Sequence, residues 1–277
     1  MKRLFIIFLI LTVSMMNFME TGFARCLELS SVEKKNPQKS KIQLFNGKNL
    51  DGWYTFIKGK GRNNDPNKVF TVKNGLITIS GEEFGCITTN DEYDNYKLVV
   101  EFKWGDLTFA PRVGKARDSG VLLNSKGEDG GYSGIWMHSI ECQIIEGGTG
   151  DMLVVGDGTI KFSLTCPTES EKQSGSYVFK PGGYPVTIND GRINWYGRDP
   201  EWKDVKGFRG AKDVEKPVGK WNRIECIVKG KEILIYLNGT LVNKADDVLP
   251  QKGRIQIQSE GAEIMFRRVD LTLLPQK

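Results

Sequence analysis

The segment His138-Ser139-Ile140-Glu141-Cys142-Gln143-Ile144-Ile145-Glu146 gathers the chain's single histidine, two glutamates and an amide between them. A carboxylate or imidazole held beside an acidic C–H or a leaving oxygen can carry its proton, so the chemistry to look for is general acid–base catalysis. The run reads as a strand. Strict alternation puts Glu141, Gln143 and Ile145 on one face and Glu146 on the other. A one-residue bulge at Ile144-Ile145 would change that parity and bring Glu146 back beside Glu141 and Gln143. With the bulge, Glu141, His138 and Glu146 are the expected catalytic residues. Gln143 cannot ionise and is expected to orient substrate. The plainer alternative for each glutamate is a bond to backbone or arginine, and for the histidine a satisfied core or surface position.

Arg117-Asp118-Ser119-Gly120 is the second candidate stretch. It offers a guanidinium, a carboxylate and a hydroxyl for substrate binding, or simply a turn entering a strand. Trp136, Trp195, Tyr196 and Trp202 supply flat rings that could stack on a ligand, with core packing as the default for each. Gly147-Gly148-Thr149-Gly150 lacks the Lys-Ser/Thr and the helix that a phosphate loop needs. The five cysteines, Cys26, Cys86, Cys142, Cys166 and Cys226, are odd in number, so at least one is unpaired within the chain. Their pairing stays open. No C-x-x-C pair occurs, which argues against structural zinc.

The elements that must position these residues are short. Alternating runs separated by glycine-bearing turns recur after Lys41: Leu76 to Ile79 after Asn74-Gly75, Lys97 to Trp104, Ile140 to Ile145, Asn222 to Val228, Ile233 to Leu237 before Asn238-Gly239, and Arg254 to Gln258. Asn-Gly supplies the positive φ angles of two-residue hairpin turns. About ten strands and no convincing helix are expected, which favours an all-β sandwich or barrel. Glycine, 32 of 277 residues, is about 12 % against a usual 7 %, and without a collagen period that excess means many tight turns.

Residues 1–24 read as a signal peptide: Lys2 and Arg3, an apolar run from Leu4 to Val13, then Gly22-Phe23-Ala24 as a cleavage site. The run is too short for a membrane span, which needs about 20 residues. A secreted or periplasmic protein is expected, with a flexible leader over 25–40 and one domain over 41–277. Net charge is only +5 and no basic stripe is visible, so nucleic acid is not an expected partner.

Three stretches resemble the 3-keto-disaccharide hydrolase domain family. They are Leu44-Phe45-Asn46-Gly47-Lys48-Asn49-Leu50-Asp51-Gly52-Trp53; Asp118-Ser119-Gly120-Val121 with Glu141-Cys142-Gln143-Ile144-Ile145-Glu146; and the tail from Trp221-Asn222 through Gly253-Arg254-Ile255-Gln256-Ile257-Gln258 to Phe266-Arg267-Arg268-Val269. Asp118 stands where the family usually has Asn, Glu146 where it has Asp, and Arg268 where it has Asn. The resemblance implies a concanavalin A-like jelly-roll sandwich of two antiparallel sheets. It also implies cleavage of 3-keto-glycosides: a base takes the C2 proton, the enolate expels the group at C1, and water adds back. Glu141 is then the expected base. His138 is a proton donor or enolate stabiliser, and Arg267 or Arg117 faces the oxyanion. A divalent cation held by Glu141, Glu146 and Asp118 is a possible alternative for polarising the carbonyl. The substrate is a carbohydrate, and an upstream sugar 3-oxidoreductase is the implied pathway partner.

The Glu141 to Glu146 spacing is also similar to the bulged carboxylate strand of retaining laminarinase-type glucanases, with Gln143 in place of their central Asp. Two further readings therefore stay open. One is a direct glycoside hydrolase using both glutamates, and the other is a non-catalytic carbohydrate-binding module.

Overall fold

The computed structural model describes residues 40–275. The expected signal peptide, and all of the leader except residue 40, lie outside them. In chain order the strands are β1 (Lys41–Gln43), β2 (Trp53–Ile57), β3 (Gly61–Arg62), β4 (Phe70–Lys73), β5 (Leu76–Ile79), β6 (Gly85–Thr89), β7 (Tyr96–Thr108), β8 (Asp118–Lys126), β9 (His138–Ile145) and β10 (Met152–Val155). They continue with β11 (Ser163–Thr168), β12 (Tyr177–Val178), β13 (Tyr184–Ile188), β14 (Gly191–Asn194), β15 (Asn222–Lys229), β16 (Glu232–Leu237), β17 (Thr240–Leu249), β18 (Arg254–Ser259) and β19 (Ala262–Leu273). Among the described residues no helix is long and apolar enough to cross a membrane.

The strands form two sheets of a jelly-roll sandwich. One has the order β13-β11-β17-β16-β15-β7-β19-β5-β4, with β1 added beside β19. The other has the order β12-β14-β10-β9-β8-β18-β6-β2-β3. Pairing is antiparallel except between β12 and β14.

Alternation builds the first sheet. Ile224, Cys226 and Val228 of β15 are buried and stand opposite Val100, Leu98 and Tyr96 of β7 on one side. On the other they oppose Leu237, Ile235 and Ile233 of β16. Each such side chain contributes about 1.5–3 kcal/mol on full burial. Asn238 and Gly239 turn β16 into β17 with φ of 50° and 87°, the left-handed pair that keeps a two-residue turn in step with strand twist.

Val121, Ile140, Cys142, Ile144, Met152, Ile255 and Ile257 from the second sheet join the same core cluster. The core therefore sits between the sheets. Cys86, Cys142, Cys166 and Cys226 are all buried and free, and each behaves as a small apolar residue.

Candidate functional site

Register carries a row of side chains across the outer face of the second sheet. Tyr54 of β2 opposes Thr88, Thr88 opposes Gln256, Gln256 opposes Leu122, and Leu122 opposes Glu141. The row continues through Leu153 of β10 to Arg192 of β14. One step along, Phe56, Cys86 and Gln258 lead to Gly120 and Gln143. Asp118, Trp136, Glu141, Gln143, Arg192 and Glu260 meet around a cleft of about 240 Å³ over this face. Four of the six were expected from the sequence, and Arg192 and Glu260 are additions.

The expected bulge at Ile144-Ile145 does not occur. Pairs from Asp118↔Ile145 to Leu123↔Ile140 run without a slip, and the ladder shifts instead between Leu123 and Lys126. Glu146 therefore leaves the strand in a turn and does not line the cleft. Its Oε1 accepts a bond from Arg117 Nη1 at 2.6 Å. Its Oε2 accepts the backbone N–H groups of Arg117 and Gly207, each at 2.9 Å. Arg117 also donates to the Gly105 carbonyl. The two residues form a buried ion pair that ties the start of β8 to the loop at Gly207, the plainer alternative for Glu146.

Three more expected residues lie elsewhere. His138 is an odd number of positions from Glu141, so alternation turns it to the opposite face. It stacks on Phe162, with ring centroids 6.3 Å apart, and its Nε2 lies 3.7 Å from Asp157. Ser119 Oγ donates to the Gln258 carbonyl and bolts β8 to β18. Arg267 belongs to the other sheet, where it donates to Glu101 and covers the ring of Trp221.

Gly120 explains how the cleft holds a carboxyl. A Cβ there would lie 2.1 Å from Glu141 Oε1 and 2.3 Å from Gln258 Oε1. The missing side chain is the space these two groups occupy. Glu141 Oε1, Asp118 Oδ1 and Gln258 Oε1 are buried without a hydrogen-bond partner among the described residues. Burial pushes the Glu141 carboxyl up to about 8, and the neighbouring Asp118 charge adds to the shift while Arg192 opposes it. Asp118 is also pushed up, mainly by burial, against the pull of Arg112, whose Nη2 is 3.1 Å from Asp118 Oδ2. Glu260 rises for the same reasons, burial first and then the charges of Asp118 and Glu141. Three acids so placed cannot all ionise near neutrality, so the cleft holds exchangeable protons.

Residues 40–272 match the family described as 3-keto-alpha-glucoside-1,2-lyase-like domain. The chain belongs to this family. Among solved structures it is similar to a "putative glycosyl hydrolase" from Parabacteroides distasonis, with TM-score 0.50 and 18% identity over 85% of this chain and 94% of that one. A second "putative glycosyl hydrolase" from the same organism has TM-score 0.48 and 20% identity over 85% of this chain and 100% of that one. No curated protein matches the chain. The family assignment supports a carbohydrate-active function, and the structural likeness supports the sandwich fold.

Within this lyase-like domain, the cleft is completed by residues outside the candidates that the sequence singles out: Arg192, Gln258, Glu260 and Tyr132. One signal was available, the alternating polar series Gln256, Gln258, Glu260 along an otherwise buried strand. Arg192 has no comparable signature, because its place depends on Leu153 lying between it and Glu141. The set proposed for a cation is not assembled, since Arg117 holds Glu146 away from Glu141 and Asp118. Among the described residues no group of three His, Cys, Asp or Glu side chains has metal-ligand spacing.

Proposed function

We propose that the protein cleaves 3-keto-glycosides by elimination, with Glu141 as the base. A carbonyl at C3 acidifies the C2 proton. Ionised Glu141 takes that proton, the C–H electron pair forms the enolate, and the enolate expels the C1 oxygen substituent. Arg192 faces the negative charge that develops on the C3 oxygen. Asp118, whose burial favours its protonated form, gives its proton to the leaving oxygen. Water then adds across the new double bond to return the free keto sugar.

The observation that carries this reading is a buried carboxyl, pushed up to about 8, with an unpartnered oxygen at an open cleft. A base of that strength is matched to a weakly acidic C–H near neutral pH. The direct hydrolase reading needs Glu146 beside Glu141, and Glu146 is committed to Arg117. The substrate must come from oxidation of a glycoside at C3, so an oxidoreductase acts upstream. The apolar run from Leu4 to Val13 supports export of the chain, and with it a secreted or periplasmic site of action.

The test pairs a glycoside with its 3-keto derivative. Only the oxidised sugar should be cleaved. Its kcat/KM should be bell-shaped, rising from pH 6 as Glu141 ionises and falling above about pH 8 as Asp118 loses the proton it donates. Equal cleavage of the unoxidised glycoside, or a flat profile between pH 6 and 8, overturns the reading.

A further inference from the structure

The turn Gly147-Gly148-Thr149-Gly150 joins β9 to β10, and its second glycine makes room for a charge. A Cβ at Gly148 would lie 1.8 Å from Arg198 Nη1. The Arg198 guanidinium lies over the ring of Trp202, 4.1 Å from its centroid, and only 7% of the side chain is exposed. Its counter-charge is Asp151, the residue that follows the turn.

Asp151 stands two positions before Leu153, so it shares the outer face of the sheet with Glu141 and Gln143. The Gln143 N–H donates to the Asp151 carbonyl at 3.0 Å, which fixes the backbone there. The side chain is fully buried and three donors hold it. Trp195 N–H donates to Oδ1 at 2.9 Å, while Arg192 Nη1 and Arg198 Nη1 donate to Oδ2 at 3.1 and 2.5 Å. Burial pushes this carboxyl up, and the two guanidinia pull it back. The ionised form is the one that closes the arrangement, because a protonated acid would leave Arg198 buried without a counter-charge.

Two cations then share one anion. Arg198 is enclosed, so the surplus positive charge is expressed at Arg192, whose side chain is 26% exposed and lines the cleft with Glu141, Asp118 and Glu260. A carboxylate that served Arg192 alone would cancel it. Shared with Arg198, the same carboxylate sets the direction of Arg192 and leaves it charged toward the cleft. The arrangement acts on the base as well, since Arg192 lowers and Asp151 raises the Glu141 carboxyl.

We propose that Asp151 and Arg198 are positioning residues of the cleft: Asp151 fixes the Arg192 guanidinium in the row that leads to Glu141, and Arg198 keeps that guanidinium from being neutralised. The proposal rests on the elimination reading for what the surplus charge does, which is to face the oxyanion on C3 as it develops.

Three variants test this: Arg198→Met, which removes the second cation, Arg198→Lys, which keeps it, and Asp151→Asn. On a 3-keto-glycoside, Arg198→Met should lower kcat about tenfold with KM within about twofold of wild type, because charge facing a developing oxyanion acts in the transition state. Arg198→Lys should return kcat to within about threefold of wild type, since the charge is restored. Titration of the Glu141 carboxyl by carbon-13 NMR, without substrate and with Glu141→Gln identifying the signal, gives a second readout. Its midpoint should lie at least about half a pH unit above wild type in Arg198→Met and at least about half a pH unit below it in Asp151→Asn, because one variant loses a positive and the other a negative charge near the base. A loosened fold would instead move both midpoints down, toward the ordinary carboxylate value. Midpoints that stay in place or fall in both variants overturn the proposal, as does wild-type kcat in Arg198→Met or an Arg198→Lys protein as slow as Arg198→Met. Should Asp151→Asn not fold, the upward shift in Arg198→Met and its reversal in Arg198→Lys decide. Opposite midpoint shifts in a protein that leaves the 3-keto-glycoside intact keep the arginine pair and end the elimination reading.

Discussion

Replacing Glu141 by glutamine should make the protein more stable while abolishing cleavage. The carboxyl has an ordinary value of 4.5 and is pushed up to about 8 by burial and by Asp118. A raised folded-state value means that the folded protein holds a proton the unfolded chain releases. Stability is therefore full below about pH 4.5, falls as pH rises, and stops falling above about pH 8. At pH 7 the chain has crossed two and a half pH units of this range at 1.36 kcal/mol each, a loss of about 3 kcal/mol. The glutamine amide would keep the shape of the protonated acid and remove that loss.

The expected gain in Tm at pH 7 is about 6–12 °C for a domain of this size. At pH 4 it should be close to zero, because both states of the wild type are then mostly protonated. Thermal unfolding of both proteins from pH 4 to pH 9 gives the comparison. A gain that is the same at pH 4 and pH 7, or a variant less stable than wild type at pH 7, would refute the argument that Glu141 is a carboxyl held against its own ionisation. Part of the shift comes from Asp118, so Asp118→Asn should reduce the gain from Glu141→Gln, a coupling expected of charged neighbours.

Three further outcomes follow from the same geometry. Gly120→Ala should lower kcat/KM by at least about 100-fold, because its Cβ displaces Glu141 and Gln258; activity within threefold of wild type would show that the Glu141 position is not required. Glu146→Gln should lower unfolding free energy by about 3–5 kcal/mol, by leaving the Arg117 guanidinium buried without its counter-charge, and urea unfolding checks it; stability unchanged from wild type would sink the structural role. His138→Gln should leave the pH profile of kcat/KM unaltered, since the ring faces Phe162 and Asp157 rather than the cleft; disappearance of one limb of that profile would restore the histidine to the mechanism.

The sandwich was legible because its central strands alternate strictly. β15 and β16 can be read residue by residue from Trp221 to Asn238-Gly239. The strands harder to read are those with a weak or mixed pattern. β6, Gly85–Thr89, has one large apolar residue among small and polar ones, and all five are buried. It is an interior strand covered on both faces, so alternation carries no signal there. In β17 the pattern breaks at Asp246-Asp247, where Asp247 takes φ of 50° and the ladder with β11 shifts register.

The site divides along the same line, between what one strand dictates and what several strands must agree on. Alternation alone puts Glu141 and Gln143 together and, applied consistently, sends His138 and Glu146 away from them. The bulge that would have rescued Glu146 depends on a partner strand, and β8 pairs straight through it. Arg192 of β14, Gln258 of β18 and Glu260 just after it lie far along the chain, and cross-strand register is what brings them to the face of Glu141. Gly120 marks the boundary between the two kinds of information. A glycine after Asp118-Ser119 reads locally as a turn, yet the residue lies within β8 and outside the positive-φ region, so conformational freedom is not its purpose. Its purpose is visible only across the ladder, where the space it leaves holds the Glu141 carboxyl. A residue that frees room and a carboxyl that resists ionising are thus parts of one arrangement, and substituting either one should alter the proton that the other controls.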